Sequence, residues 1–166
     1  FLIWINYGRR RTATMIATLL VAWALVVVTV AVHAAGLTVL LKSLMKSIAT
    51  PPSSYWAITW RLIQVTWWLI LIHLADILVW GLFFWWQDCM PDAESAFYFA
   101  GVTYTTTGYG DLLLQDPWRM LGPIEALTGI LMCGLSAGVF FAVVSRIFRT
   151  RVESTTQLES GSRPIP

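Results

Sequence analysis

Read for apolar and polar positions, the chain divides into three long apolar stretches, roughly residues 13–41, 62–86 and 121–148. Each exceeds the about 20 residues that an α-helix needs to cross a bilayer. The first is also longer than the about 7–15 apolar residues of a secretory leader, so it reads as a retained helix. Between the second and third lies a shorter apolar piece, AESAFYFAGVTYT, at 93–105. Stretches of that length are re-entrant or buried rather than spanning. It runs directly into TTTGYGD, residues 105–111, where three threonines, two glycines, a tyrosine and a carboxylate leave almost nothing to bury. Such a segment makes a poor helix and a poor sheet core.

Composition fixes the environment. Only 12% of the residues are charged, against about 25% in soluble domains, and the mean hydropathy is +0.68. The expected class is an all-α membrane protein. A net charge of +2 gives no case for a nucleic-acid partner. Two cysteines, Cys89 and Cys133, are too few for a disulfide scaffold. The chain opens on Phe1 rather than Met, and sequence upstream of it is expected.

Irregular backbone persists at membrane depth only when buried in protein or lining a wet cavity. Gly108 and Gly110 can take positive φ without steric cost. Glycines alternating with ordinary residues let successive carbonyls point towards one axis. Four such strands would stack oxygen cages that replace the water shell of a monovalent cation. One chain supplies one strand, so a homotetramer or pseudo-tetramer is expected.

The residues Thr106-Thr107-Gly108-Tyr109-Gly110-Asp111 resemble the filter of potassium channels, Thr-Val-Gly-Tyr-Gly-Asp. The order helix, pore helix, filter, helix from about 62 to 148 is similar to the pore domain of bacterial two-helix potassium channels, and IEALTG at 124–129 resembles the start of their inner helix. The resemblance implies a filter of Thr106, Thr107, Gly108, Tyr109 and Gly110. Potassium would bind the carbonyls of Thr106, Thr107, Gly108 and Tyr109, with the Thr106 hydroxyl as the innermost ring. K+ would be the permeant ligand with no organic cofactor, and the partners would be further copies of the chain and the lipid bilayer. The implied function is passive K+ conduction, not catalysis, with a weakly selective cation channel of the same architecture as the alternative. Two departures bear on filter support, assigned to Val102, Thr105 and Asp111. Many relatives carry a pore-helix Glu that pairs with the Asp after GYG, whereas Val102 or Thr103 stands there in this chain. Asp111 must then bond a neighbouring subunit or the aromatic groups around Phe97, Tyr98 and Phe99. Thr107, where Val or Ile is usual, adds a hydroxyl that needs a partner.

Asp92 is the expected cap of the pore helix, with Glu94 in its first turn. Pro123 suits the first turn of the inner helix. In that helix Gly134 and Gly138 form a small-xxx-small pair suited to close packing. The resemblance makes Gly129 the candidate gating hinge, with packing as its plainer role. Ile130, Cys133, Ala137 and Phe141 share one helical face by their spacing and would line the cavity, Phe141 as a hydrophobic constriction.

Ionisable residues inside apolar spans are functional suspects. His33, His73, Asp76 and Glu125 qualify. His73 and Asp76 can share a face as i, i+3 neighbours. They read as a proton sensor or, more plainly, as a hydrogen bond that locks helices together. Counting from the span centres puts His33 and Asp76 at different depths, so they are not expected to pair. Glu125 is expected to brace the pore helix. The predicted organisation is an interfacial segment (1–12), an extra transmembrane helix (13–41), a cytoplasmic linker (42–61), a pore domain (62–148) and a cytoplasmic tail (149–166). Within the pore domain lie an outer helix (62–86), pore helix (93–105), filter (106–111) and inner helix (121–148). Lys42, Lys46, Arg61, Arg146, Arg149 and Arg151 then fall inside a cell membrane, the bacterial inner membrane by the resemblance, with the filter outside. The Arg9–Arg11 cluster runs against that orientation. No span carries arginine at every third position, so no voltage sensor of that kind is indicated. Cys89 is expected to be a free thiol, with an intersubunit disulfide as the alternative.

Overall fold

In a computed structural model the backbone is described for residues 2–48 and 55–161, with side chains for 15–45 and 56–149. Four helices follow one another: α1 (Leu2–Ile48), α2 (Tyr55–Trp86), the short α3 (Ala93–Tyr104) and α4 (Leu121–Gly161), the last preceded by one 3-10 turn at Trp118–Met120. No strand occurs among the described residues. Three segments are long and apolar enough to cross a membrane: Met15–Met45, Trp56–Trp86 and Trp118–Arg149. The protein is an all-α membrane protein.

The helices overrun the apolar stretches that announce them. α1 already runs from Leu2, through the segment expected to lie at the interface, and α4 continues to Gly161, well into the expected tail. Burial needs an apolar run, whereas helical backbone needs only residues with adequate propensity and no breaker. The linker expected at 42–61 is largely taken up by the ends of α1 and α2, and 49–54 lie outside the described residues.

α1 and α2 are antiparallel, and α1 begins on the filter side. Thr18 near its start donates to the Pro117 carbonyl in the loop after the filter at 3.3 Å. At the far end, Leu37 and Leu40 pack with Ile58, Val65 and Leu69 of α2 and with Val143 and Ile147 of α4. A second core lies on the filter side. There Trp80 and Phe84 of α2 meet Phe99, Ala100 and Tyr104 of α3, Leu121 and Met132 of α4, and Ala22 of α1. Lipid tails are as apolar as these side chains, so close packing and polar contacts hold helices together in a bilayer, not removal from water. Glycine supplies the closest approaches. A methyl group on Gly81 would strike the Phe97 ring, and one on Gly129 would strike the Tyr104 carbonyl.

α3 starts where the sequence places it. Asp92 adopts extended backbone, φ −153°, and accepts from Ser95 N at 2.8 Å and from the Ser95 hydroxyl at 3.1 Å. One of the orphan donors at the helix start is thereby satisfied. α3 ends at Tyr104, with Thr105 as its C-cap.

Candidate ion pathway and the polar cluster behind it

Beyond Thr105 the backbone alternates in hand. Thr106, Gly108 and Gly110 have φ of +59°, +53° and +79°, while Thr107 and Tyr109 between them stay outside the positive-φ region. The amides of Thr107 and Gly108 both donate to the Val102 carbonyl, at 3.0 and 3.2 Å. A trans peptide points the carbonyl of residue i opposite to the N–H of residue i+1. The Thr106 and Thr107 carbonyls therefore point away from the pore helix. They face the open side of the subunit, where every residue from Thr105 to Asp111 is exposed. For the glycines this backbone is free of strain. For Thr106, a β-branched residue at positive φ, it stores about 1–3 kcal/mol, which surrounding bonds must hold.

Those bonds come from the pore helix. Val102 contributes its carbonyl rather than its side chain. The Thr105 hydroxyl donates to Gly101 O at 2.7 Å and lies 3.0 Å from the Thr107 hydroxyl. The hydroxyl that distinguishes Thr107 from the usual Val thus finds its partner within the same chain. Asp111 accepts from the Tyr98 hydroxyl at 2.8 Å and from Leu112 N at 3.1 Å. Of the alternatives open to Asp111, the aromatic one is made inside the subunit. The hydrogen bond to Asp111 pushes the Tyr98 phenol above its ordinary pKa, with partial burial and the Asp111 charge adding to it.

On α4, Ile130, Cys133, Ala137 and Phe141 all lie on the exposed side, Phe141 at 72%. Gly134 and Gly138 meet no other element of the subunit, so no small-residue contact forms there within one chain. Gly129, the candidate hinge, instead sits at the closest approach of α4 to α3, against the Tyr104 backbone. Glu125 is fully buried, yet neither carboxylate oxygen has a hydrogen-bond partner. The brace to the pore helix expected of it is not made as a hydrogen bond.

The sequence reading fails at His33. It pairs with Asp76, Nδ1 to Oδ2 at 2.6 Å, both side chains fully buried. Span centres are a poor guide to depth because sliding or tilting a helix costs only a fraction of a kcal/mol per Å of mismatch. An unpaired buried carboxylate costs several, so the pair sets the register. The Tyr104 hydroxyl donates to the same Asp76 oxygen at 2.8 Å and lies 3.1 Å from His73 Nδ1. The far nitrogen of His33, Nε2, lies 3.1 Å from the Ser136 hydroxyl. All four helices thus meet in one polar cluster immediately behind the last residue of the pore helix. Sequence reasoning missed Tyr104 and Ser136. The available signal for Tyr104 was that a phenol at membrane depth must find a partner.

In the outer loop Cys89 is a free thiol within the subunit, 3.9 Å from the Gln87 carbonyl. Burial, with the neighbouring Asp88 charge, pushes its pKa up to about 11.

Residues 72–146 match a family model described as an ion channel. No curated protein and no solved structure matches the chain. Together with three helices suited to a bilayer, the match supports a multi-pass membrane protein that conducts ions passively.

Proposed function

We propose that the chain is one subunit of a homotetrameric potassium channel, with K+ held by the carbonyls of Thr106, Thr107, Gly108 and Tyr109. The observation that carries this reading is the alternating backbone from Thr106 to Gly110, with the Thr107 and Gly108 amides turned to Val102 O and the Thr106 and Thr107 carbonyls to the open side. Carbonyl oxygens facing outward at membrane depth cannot be left against lipid. Facing a shared axis, they would become ligands for a dehydrating cation. The C-terminal ends of four pore helices would add partial negative charge below the filter.

Further copies of the chain would cover the exposed filter and the face of α4 that carries Ile130, Ala137 and Phe141, leaving Phe141 as the narrowest apolar point. Gly110 and Asp111 would form the outer mouth, braced by Tyr98. The filter would face the outside of a cell membrane, with the far ends of α1 and α4 inside.

The test is the reversal potential of purified protein in planar bilayers, with potassium on one side and sodium on the other. A reversal near the potassium equilibrium potential, lost in Gly108→Ala, is the expected result. A reversal near zero with robust current would instead make this a weakly selective cation channel of the same build.

A further inference from the structure

The polar cluster holds more metal-binding chemistry than ion conduction requires. His33, His73 and Asp76 each offer a donor atom, and these atoms lie within 4.8 Å of one another. No other such group of three occurs among the described residues. Two imidazoles and a carboxylate are a donor set for zinc and related divalent transition metals, not for Mg2+ or Ca2+, which prefer oxygen alone. We propose that His33, His73 and Asp76 form a binding site for a divalent transition-metal ion of the zinc class, which pins α1 to the pore domain.

Three further features fit such an ion. The second oxygen of Asp76, Oδ1, is buried with no hydrogen-bond partner, and a buried orphan acceptor calls for a proton, a water or a cation. The outer nitrogen of His33 is held by Ser136, the arrangement by which a metal-bound imidazole is oriented from behind. The Tyr104 hydroxyl, in reach of both Asp76 and His73, stands where a fourth ligand or a second orienting group belongs. Charge points the same way, since a carboxylate this deep needs a positive partner.

The change from the hydrogen-bonded to the metal-bound form is small. Zinc ligands at about 2.0–2.2 Å from the ion stand roughly 3.3 Å apart at tetrahedral angles. His33 Nδ1 and Asp76 Oδ2 would open from 2.6 Å, while His73 rotates inward. The proton they share passes to solvent as the ion enters. His73, half-buried, is the member of the group least enclosed within the subunit.

The full chain, purified without chelator, is assayed for bound metals by mass spectrometry and then titrated with zinc alone. About one ion per chain is expected, with Tm falling on chelation and recovering with zinc. His73→Ala should abolish binding, and Ser136→Ala should weaken zinc affinity by about tenfold or more. Should His73→Ala fail to fold, Ser136→Ala carries the test alone. Equal zinc affinity in wild type and variants, or a Tm indifferent to chelator and zinc, would overturn the site and leave a proton-bridged lock. The readout is independent of whether the chain conducts.

Discussion

The chain gathers polar groups in two places, and it satisfies them by opposite means. From Thr105 to Asp111 the groups belong mostly to the backbone, come from seven consecutive residues and are all exposed on the single subunit. Around Asp76 they are side chains from four helices, with His33 and Asp76 fully buried. The 105–111 segment turns its Thr106 and Thr107 carbonyls out of the subunit. The cluster turns inward and is nearly complete, with Asp76 Oδ1 as its one orphan. They touch at one residue, Tyr104, whose hydroxyl serves the cluster and whose carbonyl carries the contact with Gly129. Tightness behind the pore helix is what lets a strained strand stand open in front of it.

If that contrast is right, substitutions in the two regions should fail differently. The largest effect is expected from Gly108→Ala. Left-handed backbone costs a non-glycine residue about 1–2 kcal/mol, and no neighbour lies within 4 Å of the added methyl. The protein should therefore fold with a Tm lowered by only a few degrees and lose selective current in the bilayer assay. Next comes Asp76→Asn, which leaves His33 and the Tyr104 phenol facing a weaker acceptor. Breaking a buried pair costs about 3–5 kcal/mol, so the loss should be read as a lower unfolding midpoint in detergent. A variant that melts normally but conducts poorly would show the cluster to be functional rather than structural.

Gly129→Ala tests the contact between the regions. The added methyl meets the Tyr104 backbone, which cannot rotate away, and overpacking of this kind costs about 1–3 kcal/mol. A Tm unchanged by this substitution would mean that α4 stands further from α3 than described.

Tyr98→Phe removes the one side-chain brace on Asp111, and its effect should be confined to ion selectivity or to the decay of current. Its pH dependence has a definite sign. The phenol's pKa is raised in the fold, so the hydrogen bond is fully present below the ordinary phenol value of about 10. It is lost only as pH rises through the higher folded value. Ultraviolet titration should lose one late-ionising tyrosine in Tyr98→Phe, while fully buried Tyr104, bonded to Asp76, remains late. The smallest effect concerns Cys89. With its pKa pushed up to about 11, it should alkylate slowly at pH 8, where thiolate is scarce.

How much could be read in advance follows the same division. Three apolar stretches, the short fourth one, the Asp92 cap and the special character of 105–111 are local in sequence, because helix period, capping and glycine conformation act over a few residues. So the all-helical membrane fold and the irregular backbone at 105–111 were determined by the sequence itself. Helix ends were not, since helices outlast their apolar faces. Nor was the register of α1 against α2, which a soft bilayer term leaves free and a single buried pair, His33 with Asp76, then decides. Tyr104, Ser136 and Tyr98 acquired their partners only when residues 13 to 103 positions apart came into contact. Hydrogen bonds reach about 3 Å, and which groups stand that close is a property of packing that no local pattern encodes.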